Sequence, residues 1–526
     1  MATTIFSVFE NKQNLDKTAV IIPSSAPIPA SLTYKQLLDV IYDFANKLSQ
    51  AVPAEALKPG SSISISYINS LEFVVAFLGV GFMRLIASPL NPAYKKDEFN
   101  FYLEDAQSTI MIVPAGASKD PKNAAVSAAR DRGALVVEIH WNGKSLDVEL
   151  VGGSKGSGSH RKIESFKPQT EDIALLLHTS GTTGRPKGVP LTQLNLATSM
   201  NNIVHTYELN PKDRTMLVMP LFHVHGLVCG LLATLLAGGS AVIPQKFSAS
   251  HFWKDFTDTG CNWYTAVPTI HQILLRNPPA SVPNIRFIRS CSSSLAPATF
   301  HAIEKHFKAP VLEAYAMTEA SHQMTSNPLP KFGPHKPGSV GLGQGVEVVI
   351  LDDEGNPTIE GEVCIRGANV THGYLNNVEA TQKSFTKDGY FRTGDQGKKD
   401  KDGYLVLTGR IKELINRGGE KISPLELDAV LLSHPKVAEA VSFAVPDDMY
   451  GQEVHAAVVL RPEASKETHR AIERELTSYM VTKVAKFKVP KRIYVTEHMP
   501  KTATGKIQRR VVSETFFKPQ QQQAKL

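Results

Sequence analysis

The feature that most constrains this chain is a rhythm of short apolar runs that starts at Ser62. SISISY at 62–67, FVVAFL at 73–78, ASP at 87–89, TIMIV at 109–113 and TMLVM at 215–219 recur between helical patterns. Runs of this kind read as strands buried on both faces and joined by crossover helices. The expected class is therefore α/β, a largely parallel sheet covered by helices on both sides. At 526 residues the chain exceeds what one core organises, so at least two domains are expected.

After about Ser339 the pattern becomes strand-rich. VEVVIL at 346–351, GEVCIR at 361–366 and YLVLT at 404–408 read as strands, with DDEG at 352–355 and KDKDG at 399–403 as turns. From Ser423 a compact α+β pattern follows: a helix over 424–432, strands over 438–445 and 454–460, and a second helix over 467–479. A boundary is expected near Arg410 to Lys412. It divides a large N-terminal domain, 1–410, of parallel-rich βα subdomains plus a β-rich one, from a small mobile C-terminal domain, 411–526. The GGSKGSGS stretch at 152–159 has no packing capacity and reads as a surface insertion.

Apolar residues at 42% and charged residues at 20% fit a soluble globular protein. The formal charge of +7 is too modest to imply nucleic-acid binding. Its excess gathers at Lys483, Lys486, Lys488, Lys491, Arg492, Lys501, Lys506, Arg509 and Arg510. That cluster is either a solvated basic face or a surface for a phosphate-rich cofactor. Cys229, Cys261, Cys291 and Cys364 lie far apart without metal spacing, which suits a reducing compartment. Residues 1–17 lack the basic start and apolar core of a secretory signal. Residues 226–243 carry no charge and are long enough to suggest a membrane span, but Gly238, Gly239 and Ser240 interrupt them. A buried helix, a turn and a buried strand explain that stretch better.

The chemistry concentrates in a few strings. TSGTTGRPKG at 179–188 follows the apolar run IALLLH at 173–178. Its small hydroxyl residues and glycines let backbone N–H groups converge on an anion, and Lys187 adds a mobile positive charge. The spacing is not that of a P-loop kinase. This string resembles the phosphate loop of the acyl-adenylate-forming superfamily, which includes acyl-CoA synthetases, luciferases and peptide-synthetase adenylation domains. The other motifs of that superfamily follow in order: AYAMTE at 314–319, YFRTGD at 390–395, GRIK at 409–412 and PKTATGK at 500–506.

The resemblance implies ATP, Mg²⁺ and coenzyme A as ligands. It places the nucleotide at Thr179, Ser180, Gly181, Thr182, Thr183, Gly184, Lys187, Glu313, Ala314, Tyr315, Thr318, Asp395, Arg410 and Lys506. Thr318, Glu319 and Lys506 are the implied catalytic residues, with Glu319 on the metal and Lys506 bridging the attacking carboxylate and the α-phosphate. Lys412 is the implied pivot of a domain rotation, and Gly418 and Gly419 form the coenzyme A-side loop.

The acid pocket departs from the superfamily average. RSCSSSLAP at 289–297 stands where an acyl motif of glycines is frequent, and Glu319 is followed by Ala320, Ser321 and His322. PLFHVHG at 220–226 adds His223. Hydroxyls and imidazoles suit a second carboxylate better than a fatty chain, because a buried anion needs donors. The combination resembles the oxalate–CoA ligase branch, which implies oxalate at His223, Ser292, His322 and Lys506. A medium-chain or aromatic acyl-CoA synthetase is the nearest alternative. A protein that binds RNA through the basic C-terminal region is the alternative from another class. The ending Ala524-Lys525-Leu526 resembles the Ser-Lys-Leu address and implies a peroxisomal import receptor as partner.

Overall fold

The computed structural model describes residues 1–152, 167–179, 186–464, 468–502 and 505–517. The α/β expectation holds, but the parallel strands divide between two sheets. A seven-stranded sheet has the parallel centre Leu135–Trp141, Ser108–Pro114, Ser62–Ser66, Ile86–Leu90 and Ile173–Thr179, in that spatial order. Antiparallel strands Leu146–Leu150 and Lys187–Thr192 close its edges. Ser62–Ser66 is buried at every residue despite its alternating serines, and the Ser64 hydroxyl meets that of Ser108 at 2.7 Å. That hydrogen bond satisfies Ser64, whereas the Ser62 hydroxyl is buried without a hydrogen-bond partner.

A nine-stranded sheet runs Val311–Met317, Phe287–Ser290, Trp263–Ala266, Arg214–Leu217, Ser240–Val242 and Thr18–Ile22 in parallel. His322–Ser326 and Leu342–Gly343 extend one end and Ala30–Thr33 the other, all antiparallel. A strand from the N-terminus thus sits beside strands that lie far along the chain, a pairing the local rhythm does not carry.

The apolar run at 73–78 lies within the helix Leu71–Phe82, started by Ser70 accepting from the Phe73 N–H. Almost every residue of that helix is buried, so no amphipathic period distinguishes it from a buried strand. The uncharged stretch after Val224 is a π-helix, His225–Leu232, continued by the α-helix Ala233–Leu236, a turn and the strand Ser240–Val242. Among the described residues no helix is long and apolar enough to cross a membrane.

The strand-rich stretch forms a four-stranded antiparallel meander: Glu347–Leu351, Glu360–Arg366, Phe391–Lys399 and Leu405–Arg410. A single 3₁₀ turn, Ile411–Glu413, separates it from a five-stranded sheet. That sheet holds Ile415–Arg417, Glu420–Ile422, Val437–Asp447, Gly451–Leu460 and Arg492–Val495. Helices Pro424–Leu432 and His469–Val481 pack on it around a separate core that includes Ile415, Leu427, Leu431, Leu476 and Met480. The second helix begins where Thr468 accepts from the Ala471 N–H, two residues later than its apolar pattern predicts.

Candidate active site

The strand pair Ile173–Thr179 and Lys187–Thr192 is a hairpin in which Thr179 faces Lys187. The sequence-predicted phosphate contacts at Ser180, Gly181, Thr182, Thr183 and Gly184 lie outside the described residues. Both flanks of the hairpin are pinned: His178 Nε2 meets Asp105 Oδ2 at 2.8 Å, and the Leu375 N–H donates to the Gly188 carbonyl at 2.8 Å. Lys187 holds its ammonium 3.8 Å above the Tyr374 ring. Burial lowers its pKa from the ordinary lysine value, and the Glu319 charge opposes that shift.

Glu319 sits on the 3₁₀ turn Thr318–Ala320, directly after the strand Val311–Met317. The Tyr374 hydroxyl donates to its Oε1 at 3.0 Å, and burial raises the carboxyl above its ordinary range. Thr318, on the same turn, is only half-buried. A bound cation would favour the ionised Glu319 and offset its desolvation. No cluster of three or more histidine, cysteine or acidic ligands occurs among the described residues. A single hard carboxylate suits Mg²⁺, which takes most of its oxygens from phosphate and water.

Tyr315, Asp395 and Arg410 converge from two sheets. Asp395 and Arg410 face each other across adjacent strands of the meander, with Arg410 Nε 3.2 Å from Asp395 Oδ1. The Tyr315 hydroxyl, from the nine-stranded sheet, donates to Asp395 Oδ2. Ala314 precedes it in the same strand and is buried. Glu313, the residue before, accepts from the Gly338 N–H at 2.8 Å, and burial pushes its pKa up to about 7. Its carboxyl therefore serves the backbone of its own lobe.

Lys506 arrives from the C-terminal lobe. Lys501 and Ile507 bridge, the Thr502 N–H donates to the Lys506 carbonyl at 2.8 Å, and Gly505 lies against Thr269 and Val267 of the large lobe. The Lys506 side chain stays open to solvent in a cleft whose walls crowd around it. Those walls, followed by the charge of Arg410, lower its ammonium to about 8, while Asp395 and Glu413 oppose the shift. Three residues on, Arg509 grips Glu413 at 3.0 Å and Asp428 at 2.9 Å. The lysine loop is thereby tied to the 3₁₀ turn that carries the exposed Lys412. Gly418 and Gly419 form the turn of the hairpin Ile415–Arg417 and Glu420–Ile422, both at positive φ, and Gly418 packs on Tyr450.

The residues expected to hold the acid gather at the start of the π-helix. Gly226 makes this possible, because a Cβ there would lie 2.3 Å from the Pro220 carbonyl oxygen. The His225 N–H donates to His223 Nδ1 at 3.2 Å, so the neutral His223 ring carries its proton on Nε2. Burial, then the Lys506 charge, lowers His223 to about 4. His225 contacts Thr265 Oγ1 at 2.6 Å through Nε2 and Ser292 Oγ at 3.0 Å through Nδ1. Its ring stacks on His322 with centroids 5.2 Å apart. Burial holds His225 and His322 far below the ordinary histidine value, and Arg289 adds to the effect. His322 Nε2 is buried without a hydrogen-bond partner.

Ser292, Ser321 and His322 all adopt positive φ, at 73°, 51° and 107°. Such backbone is strained for non-glycine residues and concentrates at functional sites. The structure therefore gathers Lys187, Glu319, Tyr315, Asp395, Arg410, Lys506, His223, Ser292 and His322 around one cleft. Sequence reasoning passed over His225, Thr265 and Arg289. His225 stands in the same string as His223, while Arg289 gave its one signal as a charge inside the apolar strand Phe287–Ser290.

The AMP-binding enzyme model matches residues 8–375, and the AMP-binding enzyme C-terminal domain model matches residues 426–506. The chain is 49% identical to an oxalate–CoA ligase of Saccharomyces cerevisiae, covering 100% of this chain and 99% of that protein. It is 49% identical to an oxalate–CoA ligase of Arabidopsis thaliana, covering 93% of this chain and 94% of that one. ATP-bound MatB from Rhodopseudomonas palustris superposes with a TM-score of 0.84 at 28% identity, covering 98% of this chain and 99% of that one. With these two matches over both lobes, the chain belongs to the AMP-binding enzyme family.

Proposed function

We propose that this protein is an oxalate–CoA ligase that converts ATP, oxalate and coenzyme A into AMP, diphosphate and oxalyl-CoA. In the first half-reaction one oxalate oxygen attacks the α-phosphorus, and the bond to diphosphate breaks. In the second, the coenzyme A thiol attacks the acyl carbon, releases AMP and loses its proton. Attack of an anion on a polyanion is limited by repulsion, so fixed positive charge and preorganised donors supply the catalysis.

Lys506 and Lys187 would contribute that charge, while Asp395 and Tyr315 suit the ribose hydroxyls. A magnesium ion on Glu319 would neutralise phosphate oxygens. The observation that carries the choice of acid is the contiguous polar cluster of His223, His225, Ser292 and His322. A fatty acyl chain there would strand these groups without partners, which a site built for hydrogen bonding rejects. The relatives that are oxalate–CoA ligases support the same reading.

The test is a panel of acids in ATP–diphosphate exchange and in thioester formation, with oxalate expected to be the preferred substrate. Turnover of hexanoate or coumarate with none of oxalate would overturn the reading. Import into peroxisomes through Ala524, Lys525 and Leu526 is part of the same proposal, although these residues lie outside those described. A fluorescent fusion at the N-terminus should colocalise with peroxisomes, and deleting the last three residues should leave it in the cytosol.

A further inference from the structure

Arg289 sits in the strand Phe287–Ser290 of the nine-stranded sheet with none of its surface exposed. Nε donates to the Tyr207 hydroxyl at 2.7 Å, Nη1 to Thr265 Oγ1 at 3.2 Å and Nη2 to Gln323 Oε1 at 3.2 Å. All three acceptors are neutral, and among the described residues no carboxylate pairs with this guanidinium. A buried charge left unanswered is strongly unfavourable, so its retention beside an acid pocket calls for an anion from outside the chain.

The hydrogen bonds around it have a definite direction. A guanidinium can only donate, so Thr265 Oγ1 accepts from it. Thr265 has one proton to give, and His225 Nε2 lies 2.6 Å away. The Cys229 thiol also meets Thr265, but an imidazole nitrogen is the stronger acceptor. With Nε2 accepting, the neutral His225 ring carries its proton on Nδ1, which donates to Ser292 Oγ at 3.0 Å. The Ser292 hydroxyl proton is then free for an acceptor in the pocket. The stacked His322 ring, with its unpartnered Nε2, completes the wall.

We propose that Arg289 is the positioning residue that makes this pocket select a second carboxylate, an assignment that rests on the dicarboxylate reading above. Its charge answers the carboxylate that is not adenylated. Its donor-only chemistry orients Thr265 and His225 so that Ser292 ends the relay as a donor. Arg289 acts through these residues and not by contact with the reacting atoms.

The test compares oxalate with oxamate, which keeps the shape but replaces one carboxylate by an amide. Wild type, Arg289→Met, Arg289→Lys and Thr265→Val are measured for kcat/KM with oxalate, for KM or Ki with oxamate, and for KM with ATP. Arg289→Met is expected to lower kcat/KM for oxalate by about 100-fold, with oxamate and ATP constants moving less than about threefold. Arg289→Lys, which keeps the charge, should recover all but about tenfold of the loss. Thr265→Val should erode the preference for oxalate and move the His225 ¹⁵N resonances away from the Nδ1-protonated pattern.

Equal losses with oxalate and oxamate, or no loss in either, would overturn the assignment while leaving the oxalate reading intact. Wild type that fails to turn over oxalate would remove the reading itself. If the Arg289 variants do not fold, Thr265→Val decides: an unchanged oxalate-to-oxamate ratio overturns the assignment.

Discussion

Lys506 titrates close to working pH because the cleft walls and Arg410 disfavour its charged form. Its protonated fraction falls as pH rises through about 8, so kcat/KM of the AMP-forming half-reaction should decline above that value. Lys506→Arg should flatten the decline, and Lys506→Ala should lower the rate by about 100-fold or more without changing the far-UV spectrum. A Lys506→Ala enzyme that adenylates normally would show that the lysine has another job. Glu313 behaves oppositely to a salt-bridged acid. Its folded pKa of about 7 lies above the ordinary 4.5, so between these values the native state holds a proton that the unfolded chain has released. Its contribution to stability is full below 4.5 and is lost as pH rises to about 7. The urea midpoint of wild type relative to Glu313→Gln should therefore fall across that window, by an amount of order 3 kcal/mol in free energy. A pH-independent difference would place Glu313 in another environment.

At the scale of elements, the π-helix His225–Leu232 carries the start of the proposed acid pocket. Such helices arise as single-turn distortions and are frequent at functional sites. Here the distortion is compatible with one close approach, Gly226 against the Pro220 and Met219 carbonyls. Gly226→Ala should push the two segments apart, lowering stability by roughly 1–3 kcal/mol. Because His223 and His225 flank the same contact, the variant should also raise KM for oxalate more than KM for ATP. Thermal unfolding and initial rates check both, and parallel increases in the two KM values would count against the link.

For the whole molecule, the decisive relation is between the lobes. Gly505 rests on Thr269 and Val267, and Lys506 senses Asp395 and Arg410, so the smaller lobe meets the larger one at the residues proposed to hold the nucleotide. Arg509 ties this loop to Glu413, next to Lys412. If the smaller lobe must rotate about Lys412 to bring Gly418 and Gly419 inward, restricting that hinge should separate the half-reactions. Lys412→Pro is expected to preserve ATP–diphosphate exchange within about threefold while thioester formation falls about 100-fold. Proportional losses in both assays would indicate damage to the cleft and no role as a pivot.

The chain's own order of residues determined the α/β class, the strand-rich stretch and the separate C-terminal α+β unit, while Lys187, Glu319, Asp395, Arg410 and Lys506 are singled out by the resemblance of their strings to the motifs of a family. The fold features are local: apolar period and turn chemistry can be read within a short window. Tertiary structure alone decided that the strands would split between two sheets, that residues 73–78 would be helical, and that Glu313 would cap Gly338. It also decided that Arg289, Thr265, His225 and Ser292 would meet in one relay. Strand order and burial of charge depend on contacts between distant segments. A lone arginine in a short strand looks the same in sequence whether it faces solvent or, as here, stands fully buried.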